Sequence, residues 1–111
     1  MKIKLAPLFA MAGLALIAFQ VQADSLVDGS ADAGKAKALT CTACHGPEGK
    51  APVMTEYPLL AGQNADYLLN QMQDIKNGAR GNSHTAPMKN VMHLISDEEM
   101  AIIANWLAQI E

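Results

Sequence analysis

Cysteines, aromatic residues and basic side chains are all scarce in this chain of 111 residues. Its two cysteines exclude a disulfide-rich scaffold and a zinc site made of four thiolates. Eleven acidic side chains outnumber eight basic ones, so the basic footprint of a nucleic-acid-binding protein is missing. No segment alternates apolar and polar residues over the length of a strand, and this lack predicts an all-α fold.

One long apolar run is present, from Leu5 to Phe19, and it follows two lysines at the N-terminus. Val21-Gln22-Ala23 then offers a small-residue cleavage site, which completes the pattern of a secretory signal peptide. An uncleaved anchor is the alternative, but the run is shorter than the about 20 residues that a membrane span needs. We predict a signal peptide at residues 1–23, export to the periplasm, and one small domain at residues 24–111.

Cleavage would leave an acidic domain. Residues 1–23 contain two of the eight basic side chains and none of the eleven acidic ones, so residues 24–111 carry a formal charge of −5. Such a surface suits transient docking on the positive patch of a protein partner. We expect no nucleic-acid partner, no membrane span after cleavage, and a monomer.

The run Cys41-Thr42-Ala43-Cys44-His45 has the spacing of a c-type haem attachment site. Two thiols can form thioether bonds with the haem vinyl groups, and the adjacent imidazole can bind the iron. A thiol redox site, a zinc site and a structural disulfide share the Cys-x-x-Cys spacing. However, no strand lies nearby, and His84 and His93 are too far apart to complete a zinc site.

Three main helices are predicted. The first runs from Ser30 or Asp32 to Cys44, so that both cysteines and His45 share one helical face. The second runs over residues 64–77, with Asn64 as its N-cap and Gly78 after its end. The third begins at a capping box formed by Ser96 and Glu99.

Two segments between these helices are predicted to be irregular. Residues 46–62 contain three prolines and form a loop long enough to wrap a cofactor. Residues 79–95 are expected to hold only a short helical turn after Pro87. Gly34 can permit a close helix crossing, although a flexible start of the first helix explains it equally well, and Trp106 is expected to pack between the first and last helices.

A second iron ligand would decide between electron transfer and ligand binding at an open iron. Met72 and Met100 fit apolar helix faces and are assigned to the core. Met88 lies in the irregular segment before the last helix and is the preferred ligand, with Met92 as its rival. The remaining candidates are Met54, His84 and His93.

Three motifs in order resemble class I cytochromes c, namely Cys41-Thr42-Ala43-Cys44-His45-Gly46, Tyr57-Pro58-Leu59-Leu60-Ala61-Gly62-Gln63 and Tyr67-Leu68-Leu69-Asn70-Gln71-Met72. The chain is most similar to short bacterial single-haem members and to one half of the dihaem proteins. The resemblance implies the cytochrome c fold, with helices and loops wrapped around one covalently attached haem. It also implies a ligand Met shortly before the last helix, which is the position of Met88, and a Pro58 carbonyl that binds the His45 imidazole.

Arg80 can pair with a haem propionate through its planar guanidinium, although a solvated surface role fits it equally well. Gln63 and Tyr67 are weaker candidates for contacts with a propionate or with the loop that carries the second ligand. The expected function is a soluble periplasmic electron carrier, not an enzyme, that cycles between protein donors and acceptors. A haem-bearing subunit of a larger oxidoreductase is the main alternative, and a five-coordinate gas-binding or peroxidatic haem protein is the second.

Overall fold

The computed structural model describes residues 31–111, and within this range all regular structure is helical. The predicted all-α class is therefore confirmed for this part of the chain. The predicted signal peptide and the Ser30 cap lie outside the described residues. The five α-helices are α1 (Ala31–Lys37), α2 (Leu39–His45), α3 (Ala65–Asn77), α4 (Ala86–Met92) and α5 (Asp97–Ala108), and a 3-10 turn spans Pro47–Gly49.

The first predicted helix is split into α1 and α2 by one turn residue, Ala38. The amide of Cys41 bonds the Ala38 carbonyl at 2.9 Å, three residues back, and this tighter turn interrupts the α-helical pattern. Ala38 itself is buried against the core. The break lets α1 pack along α5, while α2 carries the cysteines towards the 3-10 turn.

Gly34 of α1 lies directly against Trp106 of α5. A Cβ atom at this position would overlap Cβ and Cγ of Trp106, whose indole is buried there. The atoms in conflict are close to the α5 backbone, so a rotamer change cannot remove the overlap. The predicted packing of Trp106 between the first and last helices is confirmed.

Gly34→Ala should therefore lower the free energy of unfolding by about 1–3 kcal/mol, the usual cost of overpacking. For a domain of this size each kcal/mol shifts Tm by about 4–8 °C. Gly81→Ala is the matched control, because a Cβ there meets no atom closer than 4.0 Å. A Tm for Gly34→Ala equal to that of the control would contradict the close crossing.

The caps of α3 and α5 are as predicted. Asn64 accepts a hydrogen bond from the Tyr67 amide at 3.0 Å, and Gly78 ends α3 at φ 81°. The Ser96 hydroxyl accepts from the Glu99 amide, while the Glu99 carboxylate accepts from the Ser96 amide. That amide, and then the Lys37 ammonium at 2.9 Å, hold the pKa of Glu99 below its usual value.

The segment over residues 79–95 is more helical than predicted, because α4 runs for seven residues. Pro87 lies in its first turn, where proline lacks only a donor that would have no helical partner. A compact turn precedes the helix. The Thr85 amide donates to the Asn82 side chain at 3.1 Å, and the Asn82 amide donates to the Thr85 hydroxyl at 2.8 Å.

The core lies around α3 and α5, with α4 packed on α3 and α1 packed on α5. Met72 and Met100 are buried in it, which confirms their predicted packing role. Within residues 31–111 no helix is both long and apolar enough to cross a membrane. Other buried core side chains are Leu68, Ile75, Met92, Ile95, Ile103 and Leu107.

Candidate haem-binding site

Helix α2 brings Cys41, Cys44 and His45 to one cavity. The two thiols are three residues apart on a helix and form no disulfide. Cys41 is half-buried, and this burial raises the pKa of its thiol, whereas Cys44 is exposed. The Cys41 thiol thus lies within the cavity wall, and the Cys44 thiol lies at the solvent-exposed edge of the cavity.

The His45 imidazole is held by the backbone of Pro58. Its Nδ1 lies 2.9 Å from the Pro58 carbonyl oxygen, and the side chain is only 4% exposed. A carbonyl can only accept, so Nδ1 carries the proton in this pair, which leaves Nε2 as a lone-pair donor suited to a metal. The Tyr57 ring lies 6.0 Å away, tilted by 46°, and packs beside the imidazole.

The loop after α2 places Pro58 by folding back on itself. Gly46 has φ +78°, and a Cβ there would overlap the Ala51 carbonyl, so glycine is required at this turn. The Val53 amide then bonds the Cys44 carbonyl at 3.0 Å. These contacts return the chain past α2, so the Pro58 carbonyl reaches His45.

A cavity of about 340 Å³ is lined by nearly all the residues predicted for the site. It is bounded by parts of α2, α3 and α4 and by the loop around Pro58. A second depression of about 430 Å³, between Leu39 and Trp106, is more open and contains none of them. The predicted residues in the first cavity's wall are Cys41, Cys44, His45, Pro58, Gln63, Tyr67, Arg80, Met88 and Met92.

The candidate second ligands are not equally placed. Met88, in α4, is half-buried and borders the cavity, whereas Met92 is 1% exposed and belongs to the core as well as to the wall. His84 also borders the cavity. The candidates absent from its wall are Met54, His93 and Met100.

Arg80 borders the cavity and is fixed at two points. Its guanidinium donates to the Gln71 side chain at 2.8 Å, and its backbone amide donates to the Asp74 carbonyl at 3.0 Å. Gln71 and the Asn82–Thr85 turn also border the cavity, and neither was among the predicted site residues. An Asn three residues before a Thr, with a proline two residues after that Thr, was the available signal for this turn.

Within residues 31–111, no three His, Cys, Asp or Glu side chains come together as ligands for a simple metal ion. The zinc alternative therefore finds no second pair of ligands beside Cys41 and Cys44. The described chain instead offers two thiols and one oriented imidazole at an apolar cavity. This donor set fits a haem attached by two thioether bonds.

The comparisons with known proteins decide the family. The family model of cytochrome c matches residues 31–111. This chain belongs to the cytochrome c family. The class I resemblance is thereby confirmed, and the cofactor is covalently bound haem c, for which Cys41, Cys44 and His45 provide the attachment pattern. Family membership supports electron transfer as the chemistry of this haem domain.

Three relatives place it within the family. The chain is 45% identical over 80 residues to cytochrome c4 of Pseudomonas aeruginosa, a match that takes in 72% of this chain and 38% of that protein. It is 39% identical over 85 residues to cytochrome c-554(548) of Halomonas halodenitrificans, covering 75% of this chain and 99% of the relative. A thiosulfate dehydrogenase electron acceptor of Stutzerimonas stutzeri is 37% identical over 70 residues, covering 63% of this chain and 32% of that protein. The chain thus spans about two fifths of the length of the cytochrome c4 relative.

Proposed function

We propose that this cytochrome c is a soluble periplasmic electron carrier with one haem, whose iron is bound by His45 and Met88. Residues 1–23 act as a signal peptide in this proposal, and residues 24–111 form the exported domain. The observation that carries it is the His45–Pro58 hydrogen bond at a cavity that also contains both cysteines and Met88. Haem iron supplies a one-electron change between its ferric and ferrous states.

The burial of the methionines supports Met88 as the second ligand. Met92 packs with the core and Met72 belongs to the buried face of α3, so both thioethers already have apolar neighbours. Met88 is half-buried and borders the cavity, so its thioether can turn towards a ligand without emptying the core. A soft thioether favours the ferrous state and raises the reduction potential.

Pro58 and Arg80 orient groups around the haem in this proposal. The Pro58 carbonyl fixes the imidazole plane and keeps the proton on Nδ1, so Nε2 would be free to bind the iron. Arg80 uses part of its guanidinium on Gln71 and retains donors for a propionate carboxylate.

An apolar rim defined by Val53, Met54 and Leu59 supports docking of a redox partner. These side chains are at least half exposed. The rim is next to the attachment site, since the Val53 amide bonds the Cys44 carbonyl and Leu59 follows Pro58. A small apolar rim suits a weak and brief encounter, which is typical of electron-transfer complexes.

The second candidate is an electron-transfer subunit of a larger oxidoreductase. The relative named as a thiosulfate dehydrogenase electron acceptor favours it. Co-purification from the native host would distinguish the two functions, since a subunit is isolated together with its catalytic partner in near-equal amounts. A carrier is isolated without a partner.

Carbon monoxide binding distinguishes the carrier and the subunit from a five-coordinate haem protein. The reduced holoprotein at neutral pH should bind carbon monoxide slowly and incompletely, because Met88 must first leave the iron. Met88→Ala is the positive control and should bind it rapidly and fully. Fast, complete binding by the unaltered protein, followed by its Soret absorption, would overturn the carrier proposal.

A further inference from the structure

Lys76 joins the end of α3 to the short connection between α4 and α5. Its ammonium donates to the Ile95 carbonyl at 3.0 Å and to the Asp97 carboxylate at 2.9 Å. The Lys76 side chain is 25% exposed, whereas Asp97 is 71% exposed. The contact with the carbonyl is therefore better shielded from water than the ion pair.

The connection that Lys76 holds is tied directly to α4. The Ile95 amide bonds the Met92 carbonyl at 3.4 Å, and the Leu94 amide bonds the Val91 carbonyl at 3.0 Å. Ile95 is also buried, at 7% exposed. A displacement of α4 must therefore either break these two bonds or move the Ile95 carbonyl and strain its bond with Lys76.

We propose that Lys76 is a positioning residue that keeps Met88 on the iron by fixing the C-terminal end of α4. The inference rests on the proposed His45–Met88 ligation. Met88 and Met92 are one helical turn apart in α4, and Met92 is buried in the core. A shift of α4 that draws Met88 away from the cavity then has to move the helix against its anchored end, and Lys76 opposes this shift.

The bond to Ile95 is the effective part of this anchor. A charged donor makes a stronger hydrogen bond than a neutral one, and partial burial limits its exchange with water. Exposed ion pairs contribute little by comparison, so Asp97 adds less than the Ile95 carbonyl does. The Lys37–Glu99 pair provides a natural comparison, since it also bonds a lysine to α5 but is anchored in α1.

Imidazole binding to the ferric holoprotein measures how easily Met88 leaves. Lys76→Met should raise the imidazole association constant about tenfold, equivalent to about 1.4 kcal/mol. Lys37→Met removes the same charge and breaks the other ion pair, and it should change the constant less than about twofold, which is under about 0.4 kcal/mol. Asp97→Asn retains the Ile95 contact and should resemble the Lys37 variant. If Lys76→Met does not incorporate haem, Lys76→Gln replaces it in the same test.

The same measurements in a Met88→Ala background separate this inference from the proposed function. Met88→Ala should itself bind imidazole far more tightly, and adding Lys76→Met to it should then have no further effect. If Met88→Ala leaves the affinity unchanged, the ligand assignment fails, and the role of Lys76 falls with it. If Met88→Ala behaves as expected but Lys76→Met matches Lys37→Met, only the inference about Lys76 is overturned. A further rise in the double variant likewise contradicts it, because Lys76 would then act without Met88.

Discussion

Replacement of both Cys41 and Cys44 by serine is expected to abolish covalent haem attachment and to unfold most of the domain. The two thiols are the only cysteines in the chain, so no other thioether can replace them. A domain of this size buries only about 60–65% of its unfolded surface, and its own core is therefore marginal. The cavity of about 340 Å³ beside α2 adds to this deficit when no cofactor fills it.

Intact mass and far-ultraviolet circular dichroism test this prediction together. The serine variant should lack the mass of one haem and lose most of its helical signal. Thr42→Ser is the matched control, because serine keeps a hydroxyl that can donate to the Leu39 carbonyl, as Thr42 does at 2.7 Å. A double serine variant that is folded and still carries haem after denaturation would contradict covalent attachment at these residues.

Met88→Ala is expected to remove the far-red iron–sulfur absorption of the oxidised protein and to lower its reduction potential. The fall should be roughly 0.1–0.3 V, a sizeable part of the about 0.8 V range that axial ligands set in haem proteins. The physical reason is the loss of a soft donor that favours ferrous iron. Optical spectra and a redox titration measure both effects.

Met92 provides the control for this substitution. Met92→Leu keeps the side-chain volume, so it should cost less than about 1.5 kcal/mol of stability and leave the far-red band in place. Met92→Ala should cost about 2–5 kcal/mol, since Met92 is 1% exposed, and should also keep the band. Loss of the band in Met92→Leu but not in Met88→Ala would reverse the ligand assignment.

Sequence reasoning succeeded where the signal is local. The Asn64 cap, the Gly78 end of α3 and the capping box of Ser96 and Glu99 each depend on residues within one helical turn. The spacing of Cys41, Cys44 and His45 is equally local, and family resemblance added the Pro58 carbonyl. That contact crosses 13 residues of loop, and no periodic pattern in the sequence encodes it.

The rest depends on contacts between distant segments. The break at Ala38 lets α1 pack on α5 while α2 contacts the 3-10 turn. Helix propensity carries no information about these two contacts. Helix α4 is an exception, because the Asn82–Thr85 turn at its start is local but its composition is also typical of an irregular segment. The bonds of Arg80 to Gln71 and of Lys76 to Ile95 join residues 9 and 19 positions apart, respectively, and require the folded chain.

We propose that His45 and Met88 are the two protein ligands of the haem iron. The most direct measurement is the proton NMR spectrum of the ferrous holoprotein with labelled methionine methyl groups. A methionine methyl held against the haem face is shifted far upfield by the ring current. We predict one such resonance, which is retained in Met92→Leu and lost in Met88→Leu. An unaltered protein without this resonance, or a resonance that survives in Met88→Leu, would contradict the account.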